Sequence, residues 1–241
     1  AVAPEVNMLT DADLLSTLPS KPICTLHLYS WKGDCATYGY FLKPEKFLRI
    51  SEVERLGLKI ARRPTGGGLI FHLTDLAFSV LIPSEYKGFS LNTLENYALV
   101  NRCIVQALKE YMGNKTPLTL LAQEAKPLDS QCRSFCMAKP TKYDIIVDGR
   151  KVGGAAQRQT RWGLLHQGSI SIALPEKEYL QSVLLSDNRV LEGMIQNSFT
   201  LLGNNWKKDE LEQTRSDLQN LLIKYFMGLD ESNSYDNFVL R

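Results

Sequence analysis

Three segments of the chain combine residue types that seldom serve packing alone. The first is Arg62-Arg63-Pro64-Thr65-Gly66-Gly67-Gly68. Three consecutive glycines give up side-chain packing and add unfolded-state entropy, so they suit a place where backbone comes very close to something else. One reading is a ligand lying across peptide N–H groups that form a nest for an anion or carbonyl. The other is a sharp hairpin turn, and these residues alone weigh the two evenly. No Gly-Lys-Ser/Thr follows and the spacing is not Gly-x-Gly-x-x-Gly, so a nucleotide is not legible here. The second segment is Asp148-Gly149-Arg150-Lys151-Val152-Gly153-Gly154-Ala155-Ala156-Gln157. Small residues after Lys151 leave room for a ligand beside a compact ammonium, which suits a carboxylate or a polarised thioester carbonyl. The plainer alternative is an Asp-Gly hairpin with solvated basic neighbours.

The third segment is Ser134-Phe135-Cys136-Met137-Ala138-Lys139-Pro140. Between 133 and 161 stand Arg133, Lys139, Lys142, Arg150, Lys151, Arg158 and Arg161, opposed only by Asp144 and Asp148. Such a field favours thiolate, the nucleophilic form of cysteine, although inert packing is the commoner fate of a lone cysteine. Cys132 and Cys136 make at most half a zinc site, because only His27, His72 and His166 could complete it; no metal is expected. His72 and His166 each suit a base or a satisfied structural imidazole.

The bulk numbers bound the possibilities. The chain has 241 residues, 28 Lys+Arg against 26 Asp+Glu, a net charge of +2 and 44% apolar residues. That is globular composition, without a run near the roughly 18 apolar residues of a membrane span and without the basic excess of bulk nucleic-acid binding. Five cysteines cannot all pair within the chain, and the amino terminus lacks a basic-then-apolar leader, so reduced thiols and a cytoplasmic location are expected.

Periodicity supplies the elements that must hold these groups. Helices are expected over 7–19, 93–112 and 207–227, and strands over 23–31, 58–63, 68–72, 76–83, 143–148, from Arg150, and over 164–174. Asn92 with Glu95 fits a helix start, Gly113 a helix end, and Pro64 to Gly67 a turn joining two strands. Neighbouring strands predict an α+β domain with a mixed, mostly antiparallel sheet flanked by helices. Residues 1–228 read as a single catalytic unit and 229–241 as a polar, loosely held tail.

Taken together, RRPTGGGLIFH (62–72), DGRKVGGAAQRQ (148–159) and GLLHQGSI (163–170) resemble the lipoate-protein ligase and octanoyltransferase family, related in fold to biotin-protein ligases. The Asn7-Met8 start, Leu28-Tyr29-Ser30-Trp31 and Tyr38-Gly39-Tyr40 fit its amino-terminal part, so the likeness spans roughly residues 7–200. The resemblance implies transfer of an octanoyl or lipoyl group to one lysine of a lipoyl domain, on 2-oxoacid dehydrogenase complexes or a glycine-cleavage H-like protein. It implies that Arg63, Thr65, Gly66, Gly67, Gly68, His72, Gly153, Gly154, Ala155 and His166 line the acyl cleft, and that Lys151 contacts the acyl carbonyl. The family's transferase branch reads Gln-His-Gly where this chain has His166-Gln167-Gly168, which moves the imidazole to the other face of its strand.

Within the family two energy sources occur. A free carboxylate needs ATP and Mg to form an acyl-adenylate, whereas an acyl-carrier-protein thioester transfers without a cofactor, through an enzyme cysteine. Cys136, four residues before Pro140 and seven before Tyr143-Asp144, matches the cysteine-dependent octanoyltransferase branch. Octanoyl transfer through Cys136 is therefore the first expectation and ATP-dependent lipoate ligation the second. A non-catalytic acyl-binding module is a rival of another class, and neither nucleic acid nor membrane is expected as a partner. Burying an octanoyl tail at ~0.8 kcal/mol per methylene offers roughly 5 kcal/mol of recognition.

Overall fold

The computed structural model describes residues 1–114, 116–124, 126–185, 189–229 and 238–241. Helix α1 (Pro4–Thr17) leads into strands β1 (Cys24–Leu28) and β2 (Cys35–Tyr38), and α2 (Ile50–Arg55) precedes β3 (Lys59–Arg62), β4 (Leu69–His72) and β5 (Asp75–Pro83). After α3 (Thr93–Met112) come β6 (Leu118–Leu120), β7 (Ile145–Val147), β8 (Arg150–Thr160) and β9 (Gly163–Ser171). Helices α4 (Lys177–Val183), α5 (Val190–Asn197) and α6 (Lys208–Met227) and strand β10 (Phe238–Leu240) follow. The strands divide into a seven-stranded sheet, β10-β1-β5-β9-β8-β7-β6, and a three-stranded sheet, β3-β2-β4. Pairing is antiparallel except for β1 with β10 and β2 with β3, so the expected α+β class holds.

Sequence chemistry explains the main elements. Asn92 caps α3 by accepting from the Leu94 N–H at 3.0 Å, and Gly113 ends it with φ +88°, a conformation that costs other residues strain. The apolar stripe of α3 and the facing residues of α6 cover one side of the large sheet, burying Phe78, Val80, Ile104, Leu108, Leu218 and Leu222. A second core joins the small sheet to α2, α4 and α5 through Leu69, Phe71, Phe135 and Met194. β5 and β9 are buried along their whole length, as strands covered on both faces must be.

Three expectations change. β3 and β4 do not form a hairpin: both flank β2, and residues 63–68 pass around its end. There Arg63 N–H donates to the Tyr38 carbonyl (2.8 Å) and Tyr40 N–H to the Thr65 carbonyl (2.9 Å). The Asp148-Gly149 turn is the expected hairpin, with φ +48° and +75°, but Lys151 beyond it is 3% exposed rather than solvated. The supposed tail is not loose at its end, since Phe238–Leu240 pairs parallel with Cys24–Leu26 and Phe238 packs on Tyr86 and Phe226; residues 230–237 lie outside the described residues.

Candidate active site

A cleft with about 440 Å³ of empty space, part of it open to solvent, lies between the two sheets. Its walls follow from strand alternation. On β9, Gln167 and Ser169 face the cavity; on β8 their paired residues are Ala156 and Gly154; on β4, Ile70 and His72 face it from the other side. His166 belongs to the opposite face. It is buried against Tyr97 of α3 with ring centroids 5.2 Å apart, and its Nδ1 pairs with Gln157 Nε2 at 2.8 Å. Burial holds its imidazole down at about 3, so it stays neutral and is no base for this cleft. Gln167 occupies the inward position instead.

The glycine loop works differently from a simple nest. Gly67 adopts φ +86°, and a side chain on Gly68 would collide with the Ser134 carbonyl, so both positions demand glycine, whereas Gly66 meets open space. The loop's carbonyls turn inward to Arg63, which is 5% exposed. Its Nη2 donates to the carbonyls of Gly66 (3.1 Å) and Gly68 (2.5 Å), and its Nη1 to the Thr37 carbonyl (3.0 Å) and hydroxyl (2.9 Å). Thr65 donates to Gln167 Oε1 at 2.6 Å and ties the loop to β9. Arg63, rather than the glycines, supplies the cavity wall.

Behind Gln167 lies a buried network that the sequence did not disclose. Asp11 of α1 accepts from His27 Nδ1 (2.8 Å) and the Ser79 hydroxyl (2.7 Å) on Oδ1, and from the Tyr29 hydroxyl and Gln167 Nε2 (2.7 Å) on Oδ2. All four lone-pair directions of the carboxylate are thus filled. Burial first, and then the Asp11 charge, raise the Tyr29 phenol well above its ordinary value. His72 stacks on Trp31 at 4.6 Å and is held between Thr37 Oγ1 and Asp75 Oδ2, each at 2.8 Å; Asp75 Oδ2 also accepts from Ser169 at 2.6 Å. His72 therefore lines the cavity as a fixed ring.

Cys136 and Lys151 meet on the cavity wall. Lys151 Nζ is 2.8 Å from Asp144 Oδ2 and donates to the Cys136 carbonyl at 2.8 Å. Asp144 is completely buried, at the head of the apolar strand β7, and its Oδ2 also accepts from the Thr141 N–H at 2.6 Å. A buried acid beside Ile-Ile-Val was the available signal for this partner. The Cys136 strap is pinned: its N–H donates to the Leu69 carbonyl (3.0 Å), while Ser198 and Asn197 donate to the Met137 and Ala138 carbonyls (3.2 and 2.8 Å). A Cβ built on Gly67 would lie 3.9 Å from Cys136 Sγ, which places the glycine loop against the thiol. Cys24, Cys35, Cys103 and Cys132 are buried, and burial pushes the Cys103 thiol up to about 12 and also raises Cys35 and Cys132. Of the five cysteines, Cys136 alone is partly exposed.

The site residues expected from sequence divide accordingly. Arg63, His72, Cys136, Lys151, Gly154 and Ala155 line one cavity, Thr65 and the glycine loop frame it, and Gly153 and His166 face the core side of the sheet. Apart from Lys151, none of the basic residues of the 133–161 stretch lines the cavity. Arg150 stacks over Phe199, Arg161 over Trp162 and Lys142 over Tyr143, while Lys139 pairs with Glu124 at 2.6 Å. Sequence clustering put these charges on one stretch, but strand alternation and turns spread them over the surface. Among the described residues no cluster of three metal-ligating side chains occurs, and no helix is long and apolar enough to cross a membrane.

Comparison with known proteins agrees with this geometry. The lipoyl protein ligase A/B catalytic domain matches residues 3–192. Octanoyltransferase LipM of Geobacillus kaustophilus is 30% identical over 199 residues, covering 81% of this chain and 71% of that protein. LipM of Bacillus subtilis is 29% identical over 197 residues, with the same coverage. Among solved structures, lipoate-protein ligase A bound with ATP superposes with a TM-score of 0.67 at 19% identity, over 99% of this chain and 86% of that one. The bipartite lipoate protein ligase of Thermoplasma acidophilum, described with its E2 lipoyl domain, gives 0.65 at 18% identity over 99% and 84%. At these identities the two structures speak to the fold alone. With the domain match spanning the cavity walls from Met8 to Ser169, the chain belongs to the lipoyl protein ligase A/B catalytic domain family.

Proposed function

We propose that the chain transfers an octanoyl group from an acyl-carrier-protein thioester to a lipoyl-domain lysine, through a thioester on Cys136. The observation that carries this reading is the meeting of the partly exposed thiol of Cys136 with the buried ammonium of Lys151 in one cavity. The Cys136 thiolate adds to the thioester carbonyl, and the oxyanion forms beside Lys151. Two of the three Lys151 donors are engaged by Asp144 and the Cys136 carbonyl, leaving the third for that oxygen. The carbon–sulfur bond to the carrier then breaks, and the carrier leaves as a thiol with the proton that Cys136 gave up. The neutral ε-amine of the acceptor adds to the acyl-enzyme and loses one proton as the amide forms, and Cys136 regains its thiol. Thioester and amine thus become amide and thiol, with no cofactor consumed. The acceptor belongs to a 2-oxoacid dehydrogenase complex or a glycine-cleavage H-like protein.

A specific observation also favours a second reading, ATP- and Mg-dependent lipoate ligation. Arg63 is buried with no carboxylate within ion-pair distance among the described residues; its Nη hydrogens are taken by Thr37, Gly66 and Gly68 oxygens, so it is its unbalanced positive charge that suits a substrate carboxylate or an adenylate phosphate in the cavity. One experiment separates the two. Incubation with octanoyl carrier protein should add one octanoyl group to the intact mass, and Cys136→Ala should abolish both the adduct and the transfer. An unmodified enzyme, or a fully active Cys136→Ala, overturns the covalent route; modification of a lipoyl domain by lipoate with Mg-ATP alone supports ligation.

A further inference from the structure

Behind Ile70, Met137 and Ser169, which it shares with the Cys136 cleft, lies a second pocket. Leu69, Phe71, Phe135 and Met194 make much of its wall, which suits a hydrocarbon chain. One part of the wall is polar. Asp75 is 7% exposed, and its Oδ1 is buried with no hydrogen-bond partner among the described residues.

The main chain and side chain of Asp75 turn apart. Its carbonyl accepts from Arg215 Nε of α6 at 2.9 Å. Its carboxylate lies on the cleft side, where Oδ2 accepts from His72 Nδ1 at 2.8 Å and from the Ser169 hydroxyl at 2.6 Å. One carboxylate oxygen therefore has two donors and the other has none. Strand register adds a neighbour: Ser171 stands directly opposite Asp75 in the β5–β9 pair, on the same face as Ser169, and lines the same pocket. A buried carboxylate oxygen without a donor is costly, because nothing replaces the water it gave up. Neither the packing of the two cores nor the chemistry at Cys136 uses this oxygen.

We propose that Asp75 reads the far end of the acyl chain and favours chains that carry a hydrogen-bond donor there, a hydroxyl or a thiol, over plain hydrocarbon. This rests on the acyl-transfer reading above. The carbonyl end of the chain is fixed at Cys136 and Lys151, and the chain runs past Met137 into the second pocket. Met137 is unbranched and admits it by changing rotamer. A distal O–H or S–H then donates to Asp75 Oδ1, with the Ser171 hydroxyl beside it. A saturated tail fills the same space and leaves Oδ1 bare.

The test is a competition for one lipoyl domain between octanoyl carrier protein and carrier proteins whose octanoyl chain bears a hydroxyl at each distal carbon in turn. At one or more positions the hydroxylated chain should be favoured in kcat/KM by about tenfold or more, the size of a hydrogen bond to a charged group. Its methyl ether, which keeps the oxygen and loses the donor, should fall below it by as much. Octanoyl equal or preferred at every position overturns the proposal. In Asp75→Asn the amide oxygen must take the place of Oδ2, since His72 and Ser169 both donate there, so the NH₂ group faces the pocket. The hydroxyl-over-ether ratio should then collapse toward one, and an unchanged ratio overturns the proposal. The wild-type ratios decide it even where the substitution unsettles the fold. A wild-type enzyme that transfers none of these chains refutes the acyl-transfer reading instead. The pocket is then tested by calorimetry with octanoic acid and the hydroxyoctanoic acids, where binding no tighter for any hydroxy acid overturns the proposal.

Discussion

Two adjacent glycines make a sharp comparison. Lys151 arches over Gly154, so a methyl group at 154 would overlap the Lys151 Cε and Nζ atoms and lie 2.5 Å from Asp144 Oδ1. In Gly154→Ala the lysine must leave, giving up its contacts with Asp144 and with the Cys136 carbonyl. Loss of one oxyanion donor costs about 10²–10³ in kcat. Leaving Asp144 buried without its cation costs about 3–5 kcal/mol of stability, offset by only about 0.4–1 kcal/mol from the stiffer unfolded chain. At Gly153 the same methyl group would meet the Ser169 carbonyl at 3.4 Å and Ile145 Cδ1 at 3.5 Å, both ordinary contacts. Gly153→Ala should therefore stay within about 1 kcal/mol of wild type and within about threefold in kcat/KM. Single-turnover octanoyl transfer and urea unfolding at neutral pH measure both quantities, with Lys151→Ala as the reference for complete loss. A Gly154→Ala enzyme with wild-type rate and stability, or a Gly153→Ala enzyme equally damaged, would refute the placement of Lys151.

Three further outcomes follow from the buried groups and the cleft wall. The folded His166 imidazole sits near 3 against 6.5 in the unfolded chain, so the unfolded state alone takes up the proton. This stabilising contribution is complete above about pH 6.5 and lost on acidification, amounting to about 2 kcal/mol at pH 5. His166→Gln should remove that acid sensitivity in urea midpoints compared at pH 7.5 and 5; parallel pH profiles would contradict it. Asp11→Ala strands four donors and should cost about 3–5 kcal/mol, read from denaturant midpoints, with the argument failing below about 1 kcal/mol. The second pocket, with about 430 Å³ of empty space partly open to solvent, shares Ile70, Met137 and Ser169 with the Cys136 cleft, so on the proposed acyl-transfer route Met137→Ala should join the two. Each further methylene then gains roughly fourfold in binding. The dodecanoyl-to-octanoyl ratio of kcat/KM should rise, and an unmoved ratio would count against the shared wall.

What could be read from sequence depended on the range of the interaction involved. Helix α3 was legible to its ends because Asn92 and Gly113 carry their cap chemistry locally. Strand β2, four residues between Gly33-Asp34 and Gly39, has too short a pattern to stand out, and missing it turned the crossing at 63–68 into a supposed hairpin. Cys136, Lys151 and the glycine loop announced themselves because few packing arguments explain such residues. Asp11 did not, since it looks like any acid until distant segments supply its donors. The order His166-Gln167 shows the same limit: period-two alternation says the two face opposite ways, but only the packed sheet says which way is in.

The cleft also constrains how the protein acquires its activity. Gln167 reaches Asp11 across 156 positions of chain, and Thr65 across 102. Contacts of such separation close late, because loop entropy must be met before they return any energy. A chain in which α1 has not yet docked on β9 therefore still lacks one wall of the cleft. On the acyl-transfer route proposed above, the Cys136 cleft is complete only once α1 and β9 have met, so the order of folding would itself delay acylation.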